Sequence, residues 1–593
     1  MLVAVATVHA TTTSRLEGKV VDEVGGNLAR VEVNISSDSL IGGPQLAVTD
    51  GRGGFAFNLL PVGEYRVEAT LAGYRPVTAV AQLRLDRTAS VTLRLVPLSF
   101  GAEIVVGAEV PIIDATRTST GEVFDADYLK LASIGIDSRD YVKVMDQAAG
   151  VVPGGFQRVY GAFSSENAYL VDGFNTTDSS TGLSATKLTF DAVEEASVLT
   201  GGVGADLGLG TGGVVNVVTK SGGNTFSGTI DARYRDQGFN ESGDHYDPDE
   251  NVSSTRRLAF TLGGPILRDR LWFFAAYENT LTEKTPVGAP VTQIGKGNYL
   301  LGKLTWAIDN ANRLTLRHTT TPRTGEYSGV DFYTAPEATR RVETSEPITQ
   351  LGLDSVLSNA LLLTVNLGIN REYVEVYPMV NDVNTPPEWD DDAIWLFSNP
   401  LFVEDGDRHR DHHRAKLSWF AGDALGSHQV DTGVEYHKIM EEVVAFTPGG
   451  YSIDYYNNDY WDEPWPDGDG DGLVDLYLYR DAPPETARDP TVATGEGWSA
   501  FVQDQWRPVP QLTVRLGLRY DSMEHTNTVG QTVADFEKLM PRVGVAWDVD
   551  GRSRHVVRAG WSQYMHPGGT NVGYLVPGIT RGTEWYWGRS PGE

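Results

Sequence analysis

The chain has 593 residues, too many for one ordinary domain, and its 48 Lys and Arg against 79 Asp and Glu give a formal net charge of −31. This acidity argues against nucleic acid as a partner, because basic patches supply the affinity for phosphates. Cysteine is absent, which excludes a disulfide-stapled fold and a thiolate metal site. No apolar run reaches the roughly eighteen residues of a transmembrane helix. Strands that are apolar only at alternate positions would escape that criterion.

The N-terminus is a short apolar run, Met1 to Ala10, which ends in Val8-His9-Ala10. This pattern is typical of the end of a secretory signal, and cleavage is expected after Ala10. The basic segment that normally precedes such a run is missing, so we expect the natural start to lie upstream. Residues 1–13 are therefore interpreted as the remnant of a signal peptide on an exported protein.

Residues 14–97 predict a small β-sandwich, because short runs of alternating apolar and polar residues are separated by turns rich in glycine and aspartate. The predicted strands are Leu16–Asp22, Val31–Ser36, Phe55–Asn58, Tyr65–Leu71 and Ser90–Leu95. The phrases GKVVDEVGGNLARVEV and TDGRGGFAFNLLPVGEYRVEA resemble the carboxypeptidase regulatory-like domain, a prealbumin-like sandwich. No set of His and Glu is spaced as zinc ligands here, so the resemblance implies a structural or interaction role.

Residues 98–115 form a linker that contains the extended run Glu103-Ile104-Val105-Val106. A β-branched run in a flexible segment is suited to strand addition, in which its backbone pairs with the exposed sheet edge of a partner. The run resembles the TonB box, which implies the inner-membrane protein TonB as a partner. The alternatives are the last strand of the sandwich or a first strand of the next domain.

Residues 116–222 are interpreted as one compact α+β domain. A helix is predicted over Ser138–Met145, and a strand ending in the Asp172-Gly173 turn is predicted at Tyr169–Phe174. Asp172 is read as a turn former in preference to a catalytic acid.

The glycine-rich stretch from Ala192 to Gly223 organises the rest of the chain, because glycine permits close backbone approach and positive φ values. Its phrase GGVVNVVTKSG resembles the end of the plug domain of TonB-dependent outer-membrane receptors. The resemblance implies that residues 116–222 are the plug, with these motif residues: Asp172, Gly173, Gly212, Gly213, Asn216 and Lys220.

From residue 223 to residue 593 the sequence predicts a transmembrane antiparallel β-barrel. In Leu512–Tyr520, apolar residues alternate with Thr513, Arg515, Gly517 and Arg519. This period of two fits lipid on one face and a hydrated lumen on the other, since an arginine facing lipid near the midplane would cost about 2–4 kcal/mol. The fold class is therefore mainly β: a sandwich, a plug and a barrel.

The connections between these strands are short at one end and long at the other, as in outer-membrane barrels. Asp309–Asn312 and Pro508–Pro510 are the short ones, and Thr321–Pro347, Pro378–Arg410 and Phe446–Glu496 are predicted long loops. FVQDQWRPVPQLTVRLGLRYD resembles a barrel hairpin of TonB-dependent receptors, and the domain order resembles their OmpA-related, Oar-like branch. Roughly fourteen candidate strands, against the twenty-two of closed transporter barrels, lead us to expect a chain that is incomplete at its C-terminus and does not insert correctly.

One loop has the spacing of a cation site. Asp467, Asp469, Asp471 and Asp475, with Gly472 between them, follow the D-x-D-x-D-G pattern of calcium loops. Leu478 stands where an EF-hand has its bidentate glutamate, so the loop resembles a thrombospondin-type or dockerin-type loop more closely. The alternative is an acidic, solvated loop.

If calcium binds there, Asp469→Ala combined with Asp471→Ala should abolish calcium-dependent protection of Phe446–Glu496, because two of the four carboxylates are lost. Limited proteolysis with and without calcium measures this protection. Equal cleavage of the unaltered chain in both conditions would contradict the calcium site.

Other candidate chemistry is weak. His409-Arg410-Asp411-His412-His413 could bind a transition metal, but adjacent residues of a strand face opposite ways, so a surface or lumen cluster is favoured. No Ser-His-Asp set, no Gly-x-Ser-x-Gly motif and no metal-binding His/Glu set of a carboxypeptidase occurs. An enzyme is therefore not expected.

The resemblance implies an outer-membrane receptor that imports a glycan, a peptide or a metal chelate with energy transmitted by TonB. Its sandwich would be periplasmic, and its partners would be TonB, outer-membrane lipid and an unidentified extracellular ligand. No cofactor is required, and calcium in an outer loop is the one candidate ion. The alternative is an outer-membrane barrel that serves adhesion or secretion without transport.

Overall fold

The computed structural model describes most of the chain. The described residues are 13–37, 40, 44–84, 88–97, 114, 116–131, 141–153, 157–208, 210–239, 253–358, 360–380, 382–390, 395–400, 403–421, 425–446, 448, 452–456, 475–479, 490–551, 553–566 and 568–570.

Two sheets form the N-terminal sandwich. Its strands are β1 (Thr13–Val21), β2 (Glu32–Ser36), β3 (Gln45–Val48), β4 (Gly54–Pro61), β5 (Gly63–Thr70), β6 (Val77–Leu83) and β7 (Thr88–Arg94). The sheet orders are β4-β1-β7 and β3-β2-β5-β6, with β1 and β7 parallel. Their facing apolar residues, among them Leu16, Val33 and Tyr65, make one buried core. The five predicted strands correspond to β1, β2, β4, β5 and β7, whereas β3 and β6 were missed.

The plug is built on a five-stranded sheet. Its elements are β8 (Thr120–Asp125), α1 (Ala126–Leu131), β9 (Val151–Val152), β10 (Arg158–Val159), β11 (Ala168–Val171), β12 (Phe174–Asn175), β13 (Val193–Gly201) and β14 (Val214–Thr219), with 3-10 helices at Tyr141–Gln147, Ser164–Glu166 and Phe190–Ala192. The sheet order is β12-β11-β14-β13-β8. All six residues of the central strand β14 are buried, which explains its nearly continuous apolar sequence. The described part of the predicted helix Ser138–Met145 is 3-10 and begins at Tyr141.

Fifteen antiparallel strands form one large sheet, called here the barrel sheet. They are β15 (Ser227–Asp236), β16 (Ser253–Leu267), β17 (Leu271–Lys284), β18 (Gln293–Ala307), β19 (Asn312–Thr320), β20 (Arg323–Ser328), β21 (Arg340–Ser345), β22 (Ile348–Ser358), β23 (Leu361–Pro378), β26 (Val403–Ala421), β27 (Ser427–Phe446), β30 (Thr491–Val509), β31 (Leu512–Thr526), β32 (Thr532–Asp548) and β33 (Val556–Ser562). Two further 3-10 helices lie at Gln237–Phe239 and Pro336–Ala338. Apart from the hairpin β20–β21, each strand pairs with the next of this set along the chain.

The predicted register of β31 is confirmed. Leu516 and Leu518 are exposed on the outer face, whereas Thr513 and Arg519 are buried on the inner face. The short connections Asp309–Asn312 and Pro508–Pro510 lie at one end of the barrel sheet, and the long connections lie at the other. We call these the short-connection end and the long-connection end.

Described parts of two predicted long loops form strands that the sequence did not predict. They form a small sheet of their own, in the order β25-β24-β28-β29, from β24 (Glu388–Asp390), β25 (Trp395–Phe397), β28 (Ser452–Tyr456) and β29 (Asp475–Tyr479). The predicted loop Pro378–Arg410 was too long, because β26 already begins at Val403. The first residues of β26, VEDGDRHR, contain a single apolar side chain and therefore lack the alternation that indicates a strand.

The barrel sheet wraps around the plug, since side chains from β16 through β32 bond to plug residues. The sandwich meets the short-connection end, where Arg507 pairs with Glu17 at 2.7 Å. Burial would raise the pKa of the Glu17 carboxyl, but the charges of Arg507 and Arg15 outweigh burial and hold the pKa below its ordinary value.

Candidate functional site: the plug–barrel interface

A tight hairpin places Asp172 at the wall of the barrel. Asp172 and Gly173 join β11 to β12 with φ values of 46° and 79°. Two consecutive positive φ values are those of a type I′ turn, which favours Asp-Gly. The prediction that Asp172 forms a turn is therefore confirmed.

The Asp172 carboxylate also links the plug to the barrel. It accepts hydrogen bonds from the backbone N–H and hydroxyl of Thr219 at 2.8 and 2.6 Å. Lys303 Nζ on β18 and Arg317 on β19 lie 3.5 and 3.4 Å from the same carboxylate. Burial would raise the pKa of the Asp172 carboxyl, but these two cations and the Thr219 bonds outweigh burial and lower the pKa. Asp172 is therefore a buried anion as well as a turn residue.

The backbone of the same turn is held by two further strands. The Asp172 carbonyl accepts hydrogen bonds from Gln350 on β22 at 2.9 Å and from Asn366 on β23 at 3.2 Å. Four neighbouring strands of the barrel sheet, β18, β19, β22 and β23, thus bond to one plug hairpin. We call this cluster the Asp172 hub; its members are Asp172, Thr219, Lys303, Arg317, Gln350 and Asn366.

A second contact holds the glycine-rich loop that follows β13. Arg515 and Arg519 on β31 donate to the carbonyls of Gly202 and Ala205 at 3.2 and 3.3 Å. Arg542 on β32 donates to the carbonyls of Gly204 and Leu207, the latter at 2.6 Å. Because backbone carbonyls accept these bonds, the loop must approach the wall closely. We call this set of wall residues the arginine cradle; it comprises Arg414, Gln503, Arg515, Arg519 and Arg542.

The cradle also surrounds a plug carboxylate, Asp206. Gln503 donates to its Oδ1 at 3.1 Å, and Arg414 donates to its carbonyl. Burial would raise the pKa of the Asp206 carboxyl, but the charges of Lys416 and Arg414 outweigh burial and lower the pKa. Both plug contacts therefore set an anion of the plug against cations of the wall.

The other plug residues singled out in the sequence lie inside the plug. A Cβ added to Gly212 or Gly213 would come within 2.6 Å of Asn167 or 2.7 Å of Val159, so glycine is required there. Asn216 is buried in the middle of β14. Lys220 donates to the carbonyl of Asp191 at 2.8 Å. None of these four is part of the Asp172 hub or the arginine cradle.

Several predicted site residues lie outside the described residues. They are Glu103, Ile104, Val105, Val106, Asp467, Asp469 and Asp471. The remaining member of the proposed calcium loop, Asp475, is the first residue of β29.

One set of described side chains has the composition of a transition-metal site. His412 on β26 faces His437 across the ladder, with Glu435 two residues before His437, and all three are buried. The Glu435 oxygens are already bonded to Arg414 and Arg519 at 2.8 and 2.7 Å. Because a divalent cation would lie among these positive charges, the contacts favour an ion-pair network at this place. His412 does point into the lumen, as the lumen-cluster interpretation expected.

Two cavities lie at the plug–barrel interface. The inner cavity has a volume of about 340 Å³, lies toward the short-connection end, and is lined by Asp172, Lys303 and Arg313. The outer cavity has a volume of about 490 Å³, lies toward the long-connection end, and is lined by Lys187, Lys284 and Thr280. The Asp172 hub borders the inner cavity only.

No helix in the described part of the chain has the length and apolar character needed to cross a membrane. The alternating sheet around a plug defines the class of plugged outer-membrane barrels. A family model for the "TonB dependent receptor-like, beta-barrel" matches residues 290–586, and models for a "Carboxypeptidase regulatory-like domain" and an "Outer membrane beta barrel domain" match residues 15–96 and 218–291. The chain belongs to the TonB-dependent receptor family and is an outer-membrane protein.

Relatives agree with this assignment. The chain is 25% identical to the TonB-dependent transporter Oar of Myxococcus xanthus, over 93% of this chain and 61% of that protein. The chain thus spans about three fifths of the length of that relative. The outer membrane transporter YddB from Escherichia coli has a similar fold (TM-score 0.55, 15% identity, 80% of this chain and 64% of that one). So does the ferric citrate transporter FecA (TM-score 0.53, 13% identity, 78% and 67%).

Proposed function

We propose that this chain is part of a transporter that imports a glycan, a peptide or a metal chelate through the barrel when TonB displaces the plug. One observation carries the proposal: the plug separates an outer from an inner cavity, and polar contacts hold it against the wall beside one apolar patch of Phe274, Ala276 and Leu301. Ion pairs and hydrogen bonds can be exchanged for water as a plug moves, whereas a continuous apolar interface would resist that change.

TonB would act through Glu103–Val106, by strand addition in the periplasm. The described chain resumes at Asp114, and Arg558 on β33 holds the segment that follows by donating to the carbonyls of Arg117 and Asp114 at 2.8 and 2.5 Å. The next element is β8, an edge strand of the plug sheet. A pull on Glu103–Val106 would therefore reach the plug sheet at its edge.

The test is binding of the C-terminal domain of TonB to the full chain in detergent. Neighbouring residues of a strand point their N–H groups to opposite sides, so only alternate residues bond to an added strand. At least one of the variants Ile104→Pro and Val105→Pro therefore loses a ladder bond. We expect one of them to abolish binding, while Val105→Ala, which keeps the N–H, binds nearly as well as the unaltered chain.

Each other result has a distinct meaning. Binding that resists both proline variants would place the TonB contact outside residues 103–106. Absence of binding by every form would contradict energised transport and favour the adhesion or secretion barrel.

A further inference from the structure

The charge of the outer cavity is opposite to that of the protein. Four of its lining residues are cationic, Lys187, Lys284, Lys296 and Arg323, and one is acidic, Glu278. The chain as a whole carries a formal net charge of −31. A cationic cavity in so acidic a protein raises the local concentration of anions and repels cations.

The lysines of this cavity that form no close ion pair come one from the plug and one from the barrel wall. Glu278 is neutralised by the buried guanidinium of Arg257 at 2.7 Å, Lys296 pairs with Glu326 at 2.8 Å, and Arg323 pairs with Glu346. Neither Lys187 nor Lys284 lies within ion-pair distance of a carboxylate among the described residues; the charge of Lys187 interacts at longer range with Glu346, which already pairs with Arg323. Lys187 belongs to the plug and Lys284 ends β17 of the wall. An anion held between them would contact both bodies at once.

The rest of the lining is rich in hydroxyl groups. They come from four strands of the barrel sheet, β16, β17, β20 and β21: Thr255, Thr280, Thr282, Thr324, Ser328 and Thr344. Hydroxyl groups both donate and accept hydrogen bonds, so they suit a ligand with many hydroxyl groups of its own. Tyr299 adds one aromatic side chain. The volume of about 490 Å³ lies within the range of small-molecule sites.

We propose that the outer cavity binds an anionic saccharide, a sugar that carries a carboxylate or a phosphate, with its charge between Lys187 and Lys284 and its hydroxyl groups on the threonine-rich walls. This proposal names the ligand class of the proposed transporter and rests on that function. A ligand seated there would touch the plug on its outer side, away from the inner cavity.

The experiment measures binding by isothermal titration calorimetry to the full chain in detergent. The probes are digalacturonate and glucose 6-phosphate, each compared with its uncharged counterpart, galactobiose or glucose. We expect at least one charged probe to bind at least about tenfold tighter than its neutral counterpart, since a hydrogen bond to a charged group is a strong one. Lys187→Gln and Lys284→Gln should each weaken binding of that charged probe about tenfold, and added salt should weaken its binding further.

Lys538→Gln is the control, because Lys538 is exposed on β32, far along the sheet from the outer cavity. It should leave the affinity unchanged. Equal affinity for charged and neutral probes, no binding of either charged probe, or binding that survives loss of both lysines would overturn the proposal. The TonB experiment is independent: TonB binding without a preference for charged probes refutes only the ligand class, and the reverse result refutes only energised transport.

Discussion

Asp172→Asn is expected to lower the free energy of unfolding by about 3–5 kcal/mol, because it leaves two buried cations, Lys303 and Arg317, without their anion. The asparagine keeps the shape of the side chain and tolerates the left-handed backbone of the turn. The loss therefore reports the charge and not the hairpin. Urea denaturation of the full chain in detergent, followed by tryptophan fluorescence, measures it.

Gly173→Ala is the matched variant, because it disturbs the turn and keeps the charge. Forcing a side chain into a φ of 79° should cost about 1–2 kcal/mol. If Asp172→Asn and Gly173→Ala lower the free energy of unfolding by the same amount, the charge of Asp172 contributes no more to stability than the geometry of the turn does. The ion pairs to the wall would then be energetically unimportant.

Arg519→Met should cost a similar amount, about 3–5 kcal/mol, because the Arg519 side chain is fully buried and neutralises two buried carboxylates. Its guanidinium lies 2.7 Å from Glu435 and 2.7 Å from Asp521. The substitution also removes a donor to the glycine-rich loop of the plug. We therefore expect faster proteolysis within residues 202–208 in addition to the lower free energy of unfolding.

Arg515→Met, on the same strand and the same face, provides the comparison. Arg515 makes one hydrogen bond to the plug, to the carbonyl of Gly202, so its loss should cost about 1–2 kcal/mol. Equal losses for the two variants would show that position in the arginine cradle, and not pairing with carboxylates, determines the effect.

The features that could be predicted are those that depend on residues adjacent in the sequence. The Asp172-Gly173 turn is encoded by two adjacent residues, and the register of β31 by a period of two. The ion pairs of Asp172 could not be predicted, because Lys303 and Arg317 lie 131 and 145 positions along the chain. Nothing local distinguishes these two cations from other lysines and arginines of the lumen.

The elements that were not predicted lack a local signal in the sequence. Strand β26 begins in a segment with almost no apolar residues, and the apolar side chains of this part of the ladder come from its partners β23 and β27, for example Val376 and Val444. The small sheet of β24, β25, β28 and β29 brings together two loops far apart in sequence. Such pairing is determined by the barrel that carries the loops, so the loop sequences alone did not indicate it.

The position of β8 has a mechanical consequence. Thr120, its first residue, lies opposite Gly201, the last residue of β13, and the chain beyond Gly201 is anchored to the wall by the arginine cradle. If TonB pulls on the segment before β8, as proposed above, the point of pulling and the anchor are at the same end of an antiparallel pair. A load applied there opens the bonds one after another, as a zipper opens, instead of shearing all of them together. The force needed at any moment is then the force that breaks a single pair of strand hydrogen bonds. The plug sheet therefore resists a pull at its β8 edge less than a pull that shears whole strands.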